Sequence, residues 1–298
     1  MINKFKIKDF ALSYYDSGGL SDDVVLLLHG FPSPFFFWNE IIYELEKQGK
    51  RVLAIEQRGY PLSLLESPDI KDFNIENLSS DIESLINYLD INQFSIIAHD
   101  WGTIVAWAVL QRNIVSVNNL VSVCGGTEFP NTSIYSELIY PEGDHYITSF
   151  QDPISSSKYL DKDIETFIKS AYRDTFGPIV SPDLSLKTLF NSTTFSKLSI
   201  NDLDLNKYTQ HFTNSSLFQP ICWYSNINLN IDLSNSWRKK VNTNVTFIFG
   251  KNDFTVQLSD KMITSLKSLG SHIQIHEVDN AGHWLPLTHK ERVLEHIK

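Results

Sequence analysis

Short apolar runs alternate with segments of helical periodicity over most of this chain. Strands are predicted at the apolar runs Phe10–Tyr15, Asp23–Leu28, Arg51–Ile55, Phe94–Ala98, Asn118–Val123, Val245–Phe249 and His272–Val278. Helices are predicted at Pro34–Lys47, Ile75–Leu89, Gly102–Gln111 and Val256–Leu269. This alternation is typical of a mostly parallel sheet covered by helices.

The alternation of strands and helices breaks between about Glu128 and Arg238. The residues in between follow a helical and aromatic pattern that Ser, Asn, Asp and Pro interrupt repeatedly. We therefore predict a mainly helical cap domain at residues 128–240, inserted into an α/β core made of residues 1–127 and 241–298.

Length and composition agree with one large α/β domain that carries an insertion, or with two domains. The chain has 298 residues, of which 42% are hydrophobic, enough to bury a large core. The longest apolar runs, such as residues 24–28, fall well short of a membrane span, and residues 1–15 lack the pattern of a signal peptide. We expect a cytoplasmic protein that does not bind membranes.

Charge and cysteine content narrow the classes of partner. The net charge is −10, from 25 basic and 35 acidic side chains, and the basic residues form no stripe. Nucleic acid is therefore a disfavoured partner. The two cysteines, Cys124 and Cys222, are far apart, and no Cys/His cluster has metal-ligand spacing. The sequence predicts neither a disulfide framework nor a bound metal or cofactor.

The strongest local motif joins a predicted strand to a predicted helix. The segment Ala98-His99-Asp100-Trp101-Gly102 follows the small-x-nucleophile-x-small pattern of a sharp strand-to-helix turn. The apex residue is Asp100, and a carboxylate displaces at an sp³ carbon to form an alkyl ester, which a serine esterase does not do. Taken alone, Asp100 is equally compatible with an N-cap of the following helix.

Two further residues follow predicted strands in the order that such a nucleophile requires. Asp253 lies just after the strand Val245–Phe249, and His283 follows the strand that ends at Val278. Open α/β sheets place their chemistry at the carboxyl ends of strands. The order nucleophile, acid, histidine predicts Asp253 as the acid and His283 as the base. Glu128, after an earlier strand, is the alternative acid.

A third loop offers backbone donors. His29-Gly30-Phe31-Pro32 follows a strand, and the amides of Phe31 and Trp101 are predicted to form an oxyanion hole. Pro32 is a candidate for a cis peptide bond. His29 and His99 lie near this site in sequence, and we expect them to make structural hydrogen bonds.

Five segments of the chain carry a family resemblance, and they read HGFP at 29–32, QRGY at 57–60, HDWGTIVAW at 99–107, GKNDFTV at 250–256 and AGHW at 281–284. In these segments, and over nearly its whole length, the chain resembles the soluble epoxide hydrolases of the α/β-hydrolase fold. The resemblance implies conversion of an epoxide to a vicinal diol. It also implies a covalent ester on Asp100, hydrolysed by water that His283 and Asp253 activate.

The resemblance further implies two cap tyrosines that bind the epoxide oxygen and protonate it. Tyr146 precedes Phe-Gln-Asp-Pro at residues 150–153, as one family tyrosine does. Tyr224 lies in Ile-Cys-Trp-Tyr-Ser-Asn at residues 221–226, where Cys222 and Ser225 replace the Asn and Arg of the family pattern. The other candidates near Tyr146 are Tyr135, Tyr140, Tyr159 and Tyr172. Pro61, where the family has glycine, is a further departure.

Two other functions remain open from the sequence. A haloalkane dehalogenase uses the same Asp nucleophile but stabilises a halide with N–H donors, one of which Trp101 can supply. A non-catalytic ligand-binding protein of the same fold is the second alternative. The expected partners are a small-molecule epoxide and water, and the oligomeric state is left open, a homo-oligomer included.

Overall fold

The computed structural model describes residues 2–19, 21–125, 145–174, 185–187, 197–200, 202–237, 240–253, 255–256 and 260–297. Its strands are β1 (Ile2–Ile7), β2 (Phe10–Asp16), β3 (Val24–Leu28), β4 (Arg51–Glu56), β5 (Phe94–His99), β6 (Val117–Val123), β7 (Arg173–Asp174), β8 (Lys197–Leu198), β9 (Asn244–Gly250) and β10 (Ile273–Val278). Within the described residues, eight strands form one sheet in the order β1-β2-β4-β3-β5-β6-β9-β10, and β7 pairs with β8 separately.

The sheet is parallel from β4 to β10, whereas β1, β2 and β4 pair antiparallel. Every residue of β3 and β5 is buried. Because helices cover both faces of a parallel sheet, its central strands carry uninterrupted apolar runs instead of alternating polar and apolar residues. The run of residues 24–28 is therefore a central strand and not a membrane segment.

Twelve α-helices and two 3-10 helices are described. The α-helices are α1 (Asn39–Lys47), α2 (Ile75–Tyr88), α3 (Trp101–Arg112), α4 (Tyr146–Ser149), α5 (Pro153–Leu160), α6 (Ile164–Ala171), α7 (Asp202–Thr213), α8 (Phe218–Ser225), α9 (Ile227–Ser234), α10 (Asp260–Ser268), α11 (Leu285–Thr288) and α12 (Lys290–Leu294). The 3-10 helices are Phe35–Trp38 and Ile70–Phe73. In the described part of the chain, no helix is both long and apolar enough to cross a membrane.

Local sequence explains where α2 and α3 begin and end. The Asn74 side chain accepts a 3.0 Å hydrogen bond from the amide of Asn77 and so caps α2. α3 ends at Asn113, whose left-handed φ of +53° is one that asparagine tolerates. α3 is buried along its length between the sheet and α2. This packing fixes the orientation of Trp101, the first residue of α3.

The seven predicted strands are confirmed to within one residue at each end, and the expected fold class is confirmed with them. The predicted helix Pro34–Lys47 begins instead as the 3-10 turn Phe35–Trp38. β1 was not predicted, because lysines alternate with its partly buried residues and leave only a short apolar pattern. It is held at the sheet edge by pairing with β2 and by Phe5, whose ring stacks on Tyr88 at 4.5 Å.

The helices between β6 and β9 lie over the carboxyl ends of the strands. The Tyr172 hydroxyl donates to the carbonyl of Pro32, which follows β3, at 3.1 Å. The indole of Trp223 donates to the carbonyl of Arg58, which follows β4, at 3.0 Å. These contacts from separate helices hold the inserted segment directly above the loops that carry the candidate site.

A buried hydrogen bond between Glu56 and His211 adds to this attachment. Glu56, at the end of β4, is fully buried and accepts from His211 of α7 at 2.5 Å and from the amide of Phe35 at 2.8 Å. Burial raises the pKa of Glu56, but the hydrogen bond to His211 and the charges of His211 and His29 outweigh it and lower the pKa below its usual value.

Candidate active site

The turn between β5 and α3 holds Asp100 in an unusual backbone conformation. Its φ of +52° is uncommon for a residue with a side chain and directs the carboxylate upward from the sheet. Backbone segments pack closely at this turn. A Cβ on Gly102 would lie 2.2 Å from the carbonyl oxygen of Leu28, so the turn requires glycine there. Asp100 occupies the N-cap position of α3, but its side chain makes no capping hydrogen bond there.

The two carboxylate oxygens of Asp100 have different surroundings. Oδ1 accepts a 2.7 Å hydrogen bond from the amide of Phe31, and the amide of Trp101 also bonds the carboxylate. Oδ2 lies 3.8 Å from Nε2 of His283. Gly30 makes this approach feasible, since a Cβ there would lie 2.2 Å from Oδ1. Oδ1 is therefore held by the Phe31 amide, while Oδ2 faces the imidazole.

Burial raises the pKa of Asp100 above its usual value. The charge of His283 and the amides of Phe31 and Trp101 act in the opposite direction without cancelling this effect. The Asp100 side chain is 18% exposed, so it stays accessible at the base of the site.

His283 and Asp253 form a hydrogen-bonded pair beside this carboxylate. Nδ1 of His283 lies 3.1 and 3.2 Å from the two oxygens of Asp253, which is 4% exposed. Thr255 donates to Asp253 through its amide at 2.9 Å and its hydroxyl at 2.7 Å. Burial raises the pKa of Asp253, but His283 and these Thr255 donors outweigh it, so the pKa is lowered and the carboxylate is kept charged.

His99 and Cys124 lie beneath this pair. Nε2 of His99 donates to the carbonyl of His283 at 2.9 Å, and the thiol of Cys124 donates to the carbonyl of Gly282 at 3.8 Å. One ligand atom from each of His99, Cys124 and His283 falls within 4.8 Å of the others, a spacing that a metal ion could bridge. Within this cluster, Nδ1 of His283 bonds Asp253.

His29 makes the structural hydrogen bonds that the sequence predicted. Its Nδ1 donates to the carbonyl of Gly30 at 3.0 Å, and its Nε2 accepts from the amide of Gln57 at 3.0 Å. Burial lowers its pKa to about 4, so the ring is neutral near pH 7. The peptide bond Phe31–Pro32 is cis, and Tyr60 donates to the Gly30 carbonyl at 3.1 Å.

Tyr224 of α8 lies against the residues that flank Asp100. Its ring centroid is 4.8 Å from that of Trp101 and 5.4 Å from that of Phe31. The side chain is 5% exposed. Burial raises the pKa of Tyr224, the charge of Asp100 raises it further, and a hydrogen bond from the Trp101 indole acts to lower it.

Tyr146 of α4 approaches from the neighbouring helix. Its ring centroid lies 6.2 Å from that of Tyr224 and 5.6 Å from that of Phe150. Burial raises its pKa, and the charges of Asp100 and Asp253 add to this effect. Gln151 joins the helices that carry the two tyrosines. Its side-chain amide donates to the carbonyl of Ile147 in α4 at 3.1 Å and to that of Tyr224 in α8 at 2.9 Å.

The other tyrosine candidates differ from Tyr146. The Tyr172 hydroxyl is already bonded to the Pro32 carbonyl and the Ser33 hydroxyl, and Tyr159 is 41% exposed. Tyr135, Tyr140 and the alternative acid Glu128 lie outside the described residues. All seven predicted site residues, namely Phe31, Asp100, Trp101, Tyr146, Tyr224, Asp253 and His283, are described.

A comparison with protein-family models agrees with the fold and the site described above. Residues 23–290 match the model of the alpha/beta hydrolase fold. The chain belongs to the α/β-hydrolase fold family. The elbow at Asp100, the loop of Asp253 and the loop of His283 all lie within the matched range.

Several relatives of this α/β-hydrolase carry epoxide hydrolase names. The chain is 26% identical over 283 residues to bifunctional epoxide hydrolase 2 of Sus scrofa, covering 89% of this chain and 48% of that protein. It is 26% identical over 306 residues to epoxide hydrolase 3 of Mus musculus, covering 98% of this chain and 74% of that protein. The chain thus spans about half the length of the first of these curated relatives.

A solved structure shows the same fold. A mutant epoxide hydrolase from Vigna radiata superposes with a TM-score of 0.88 at 24% sequence identity, over 100% of this chain and 96% of that one. At this identity, the likeness shows the fold alone.

Sequence reasoning missed two residues of this α/β-hydrolase site. Thr255 bonds both Asp253 and His283, and the signal was present as a threonine two residues after an aspartate, a frequent turn. Gln151 bridges two helices across 73 residues, so it left no local signal.

Proposed function

We propose that this protein is an epoxide hydrolase that converts a small-molecule epoxide and water into a vicinal diol. The observation that carries the proposal is the packing of Tyr224 against the residues that flank Asp100, with the Tyr146 ring beside it, above a carboxylate whose Oδ1 accepts from the Phe31 amide. Asp100 is the nucleophile, His283 the base and Asp253 its acid, while the amides of Phe31 and Trp101 are the oxyanion hole. Residues 128–240 form the cap, and residues 1–127 and 241–298 the core.

The first half-reaction opens the epoxide. Oδ2 of Asp100 attacks a ring carbon, the C–O bond of that carbon breaks, and its electron pair moves to the ring oxygen. An alkoxide is too basic to leave unaided, so the hydroxyls of Tyr146 and Tyr224 hydrogen-bond the oxygen and protonate it. What supports this step is the 6.2 Å separation of the two rings and their shared electrostatic coupling to Asp100.

The second half-reaction hydrolyses the ester. His283 removes a proton from water, and the hydroxide attacks the carbonyl carbon of Asp100. The bond from that carbon to Oδ2 then breaks, Oδ2 leaves with the diol and takes the proton of the new carboxyl group, and the proton on His283 returns to the tyrosine that protonated the epoxide oxygen. The oxyanion develops on Oδ1, which the Phe31 amide already contacts at 2.7 Å. Asp253 stabilises the imidazolium through its contact with Nδ1 at 3.1 Å. The same hydrogen bonds that hold the resting carboxylate thus favour the hydrolytic transition state.

The residues around Asp100 argue against the dehalogenase alternative. A halide product needs N–H donors in the site, and the Trp101 indole is the one predicted from the sequence. Phe31, on the opposite loop, has no side-chain donor to add a second.

A paired substrate panel tests the proposed function. Aromatic and aliphatic epoxides and matched haloalkanes are incubated with the protein, and diols, alcohols and halide are quantified by chromatography. We expect diol from at least one epoxide class and no halide release. Turnover of haloalkanes but not epoxides would contradict the proposal, and Asp100→Asn serves as the inactive control.

Replacement of the acid should slow the second half-reaction more than the first. Asp253→Asn removes the charge that stabilises the His283 imidazolium, so we expect ester hydrolysis to slow by about 10²–10⁴-fold. Single-turnover kinetics separate the formation and decay of the ester. Glu128→Gln is the comparison variant, and a silent Asp253→Asn together with an inactive Glu128→Gln would move the acid to Glu128.

As the pH is lowered, epoxide opening should be lost at a higher pH than it would be with an aspartate of ordinary pKa. Asp100 attacks only as a carboxylate, and its pKa is raised above 3.8. Alkylation is therefore complete above the raised pKa and is lost as the pH falls through it. The measurement is the single-turnover alkylation rate against pH, with circular dichroism to verify folding. A midpoint at or below 3.8 would contradict this expectation.

A further inference from the structure

Tyr172 lies where the inserted segment meets two loops of the candidate site. One is the Phe31 loop, residues 29–33, and the other is the His283 loop, residues 279–284. Tyr172 is the C-cap residue of α6, and its side chain is fully buried. Its backbone carbonyl accepts from the amide of Ser199 at 2.8 Å. The hydroxyl and the ring of this fixed residue contact different loops.

The hydroxyl of Tyr172 holds the Phe31 loop. It donates to the carbonyl of Pro32 at 3.1 Å and lies 2.9 Å from the hydroxyl oxygen of Ser33. Pro32 directly follows Phe31, whose amide donates to Oδ1 of Asp100 at 2.7 Å. Because the proline ring fixes its own φ, a hydrogen bond to the Pro32 carbonyl also restricts the backbone that precedes it. The Tyr172 hydroxyl therefore helps to aim the Phe31 amide at the carboxylate.

The ring of Tyr172 holds the His283 loop. It stacks on Trp284 with 4.2 Å between the centroids and 20° between the planes. The Trp284 indole donates to the carbonyl of Ala171 at 2.9 Å, so this side chain is attached to α6 twice. Trp284 directly follows His283, and their ring centroids are 4.9 Å apart. The position of the imidazole is thus linked to the position of Tyr172.

The two loops act on the same carbonyl group during ester hydrolysis. The Phe31 amide stabilises the negative charge that develops on Oδ1 of Asp100, while His283 activates the water, so the separation of the loops sets the alignment of both. During epoxide opening the negative charge on Asp100 decreases instead. A donor to Oδ1 then favours the resting carboxylate over the transition state. A looser arrangement of the loops should therefore slow hydrolysis and spare alkylation.

We propose that Tyr172 is a positioning residue that holds the Phe31 loop and the His283 loop at a fixed separation and thereby promotes hydrolysis of the ester on Asp100. The role in hydrolysis rests on the proposed function. The hold on the two loops does not, because its contacts exist without substrate.

Two amide signals report on the loops in the absence of substrate. Gly30-Phe31 is the one Gly-Phe pair of the sequence, and Gly282-His283 is the one Gly-His pair. Protein labelled with ¹³C in the glycine carbonyls and with ¹⁵N in phenylalanine and histidine therefore gives one carbonyl-linked amide signal from each loop. NMR spectroscopy of this sample follows both loops at once.

Tyr172→Phe removes the hydroxyl and keeps the ring, so we expect the Phe31 signal to shift and the His283 signal to stay. Tyr172→Leu also removes the stacked ring and should shift both signals. Tyr208→Phe is the control, because it removes a hydroxyl from the buried ring 4.9 Å from Tyr172 and should move neither signal. A Phe31 signal that stays in place in Tyr172→Phe would overturn the proposal, whether or not the protein opens epoxides.

Single-turnover kinetics test the role in hydrolysis. We expect Tyr172→Phe to slow decay of the ester about 3- to 10-fold, the net worth of one hydrogen bond, and to leave its formation unchanged. Tyr208→Phe should change neither rate, and thermal melts verify folding. Equal slowing of both steps, or an unchanged decay of the ester, would mean that Tyr172 only packs and would overturn the proposal. If no epoxide forms an ester, the proposed function fails, and the two amide signals still decide whether Tyr172 holds the loops.

Discussion

Replacement of His283 with glutamine is expected to trap the protein as a stable ester with its substrate. Attack of Asp100 on carbon transfers no proton to His283, whose Nε2 lies 3.8 Å from Oδ2 of Asp100, so alkylation does not need the base. Glutamine is similar in size but takes no proton from water, so ester hydrolysis should slow by about 10²–10⁴-fold while alkylation continues. Intact mass spectrometry should show a gain of one substrate mass, located on the peptide that carries Asp100.

Two control variants make this result specific. His272→Gln changes an exposed histidine and should leave no ester behind. The double variant Asp100→Asn with His283→Gln removes the nucleophile and should gain no mass. If His283→Gln makes diol with no adduct, water attacks the epoxide directly and the covalent mechanism is wrong.

Loss of both cap hydroxyls is expected to abolish epoxide opening. In the proposed mechanism Tyr146 and Tyr224 donate to the same oxygen, so each should partly substitute for the other. The single phenylalanine variants should therefore retain activity that the double variant loses. A positioned acid contributes about 10²–10⁴ in rate. The slowed step must be formation of the ester, measured in a single turnover.

Folding should survive these changes, because phenylalanine keeps the ring that packs against Phe150 and Phe31. Thermal melts check this point, and Tyr159→Phe is the matched control for loss of a hydroxyl on an exposed cap tyrosine. An unchanged alkylation rate in the double variant would mean that the two tyrosines only pack against their neighbours. It would remove the main support for epoxide chemistry.

The catalytic order and the sheet were readable from the sequence because both depend on local pattern. A buried parallel strand needs an apolar run, and the turn after it needs small residues where backbone segments meet. The contacts of Gly30 and Gly102 show why: a Cβ at either position would lie 2.2 Å from a neighbouring atom. Asp100, Asp253 and His283 each follow such a strand, so strand position alone predicted that they meet at one edge.

The cap tyrosines were reached by resemblance to a family motif and not by periodicity. Neither α4, with four residues, nor α8, with eight, carries a helical pattern that marks one tyrosine over another. Only the packed structure separates Tyr172, whose hydroxyl bonds Ser33 at 2.9 Å, from Tyr146. The edge strand Ile2–Ile7 was missed for a related reason, since pairing with β2 supplies what its lysine-rich pattern lacks.

The sequence by itself determined the parallel core, the turn at Asp100 and the order in which Asp253 and His283 follow it. Each of these depends on residues that are neighbours in the chain. The tertiary structure alone decided which oxygen of Asp100 the Phe31 amide holds and how Gln151 joins the two tyrosine helices. These hydrogen bonds link residues 69 and 73 positions apart. Hydrogen bonds of such separation depend on how the inserted helices dock on the sheet, and no local pattern of residues encodes that docking.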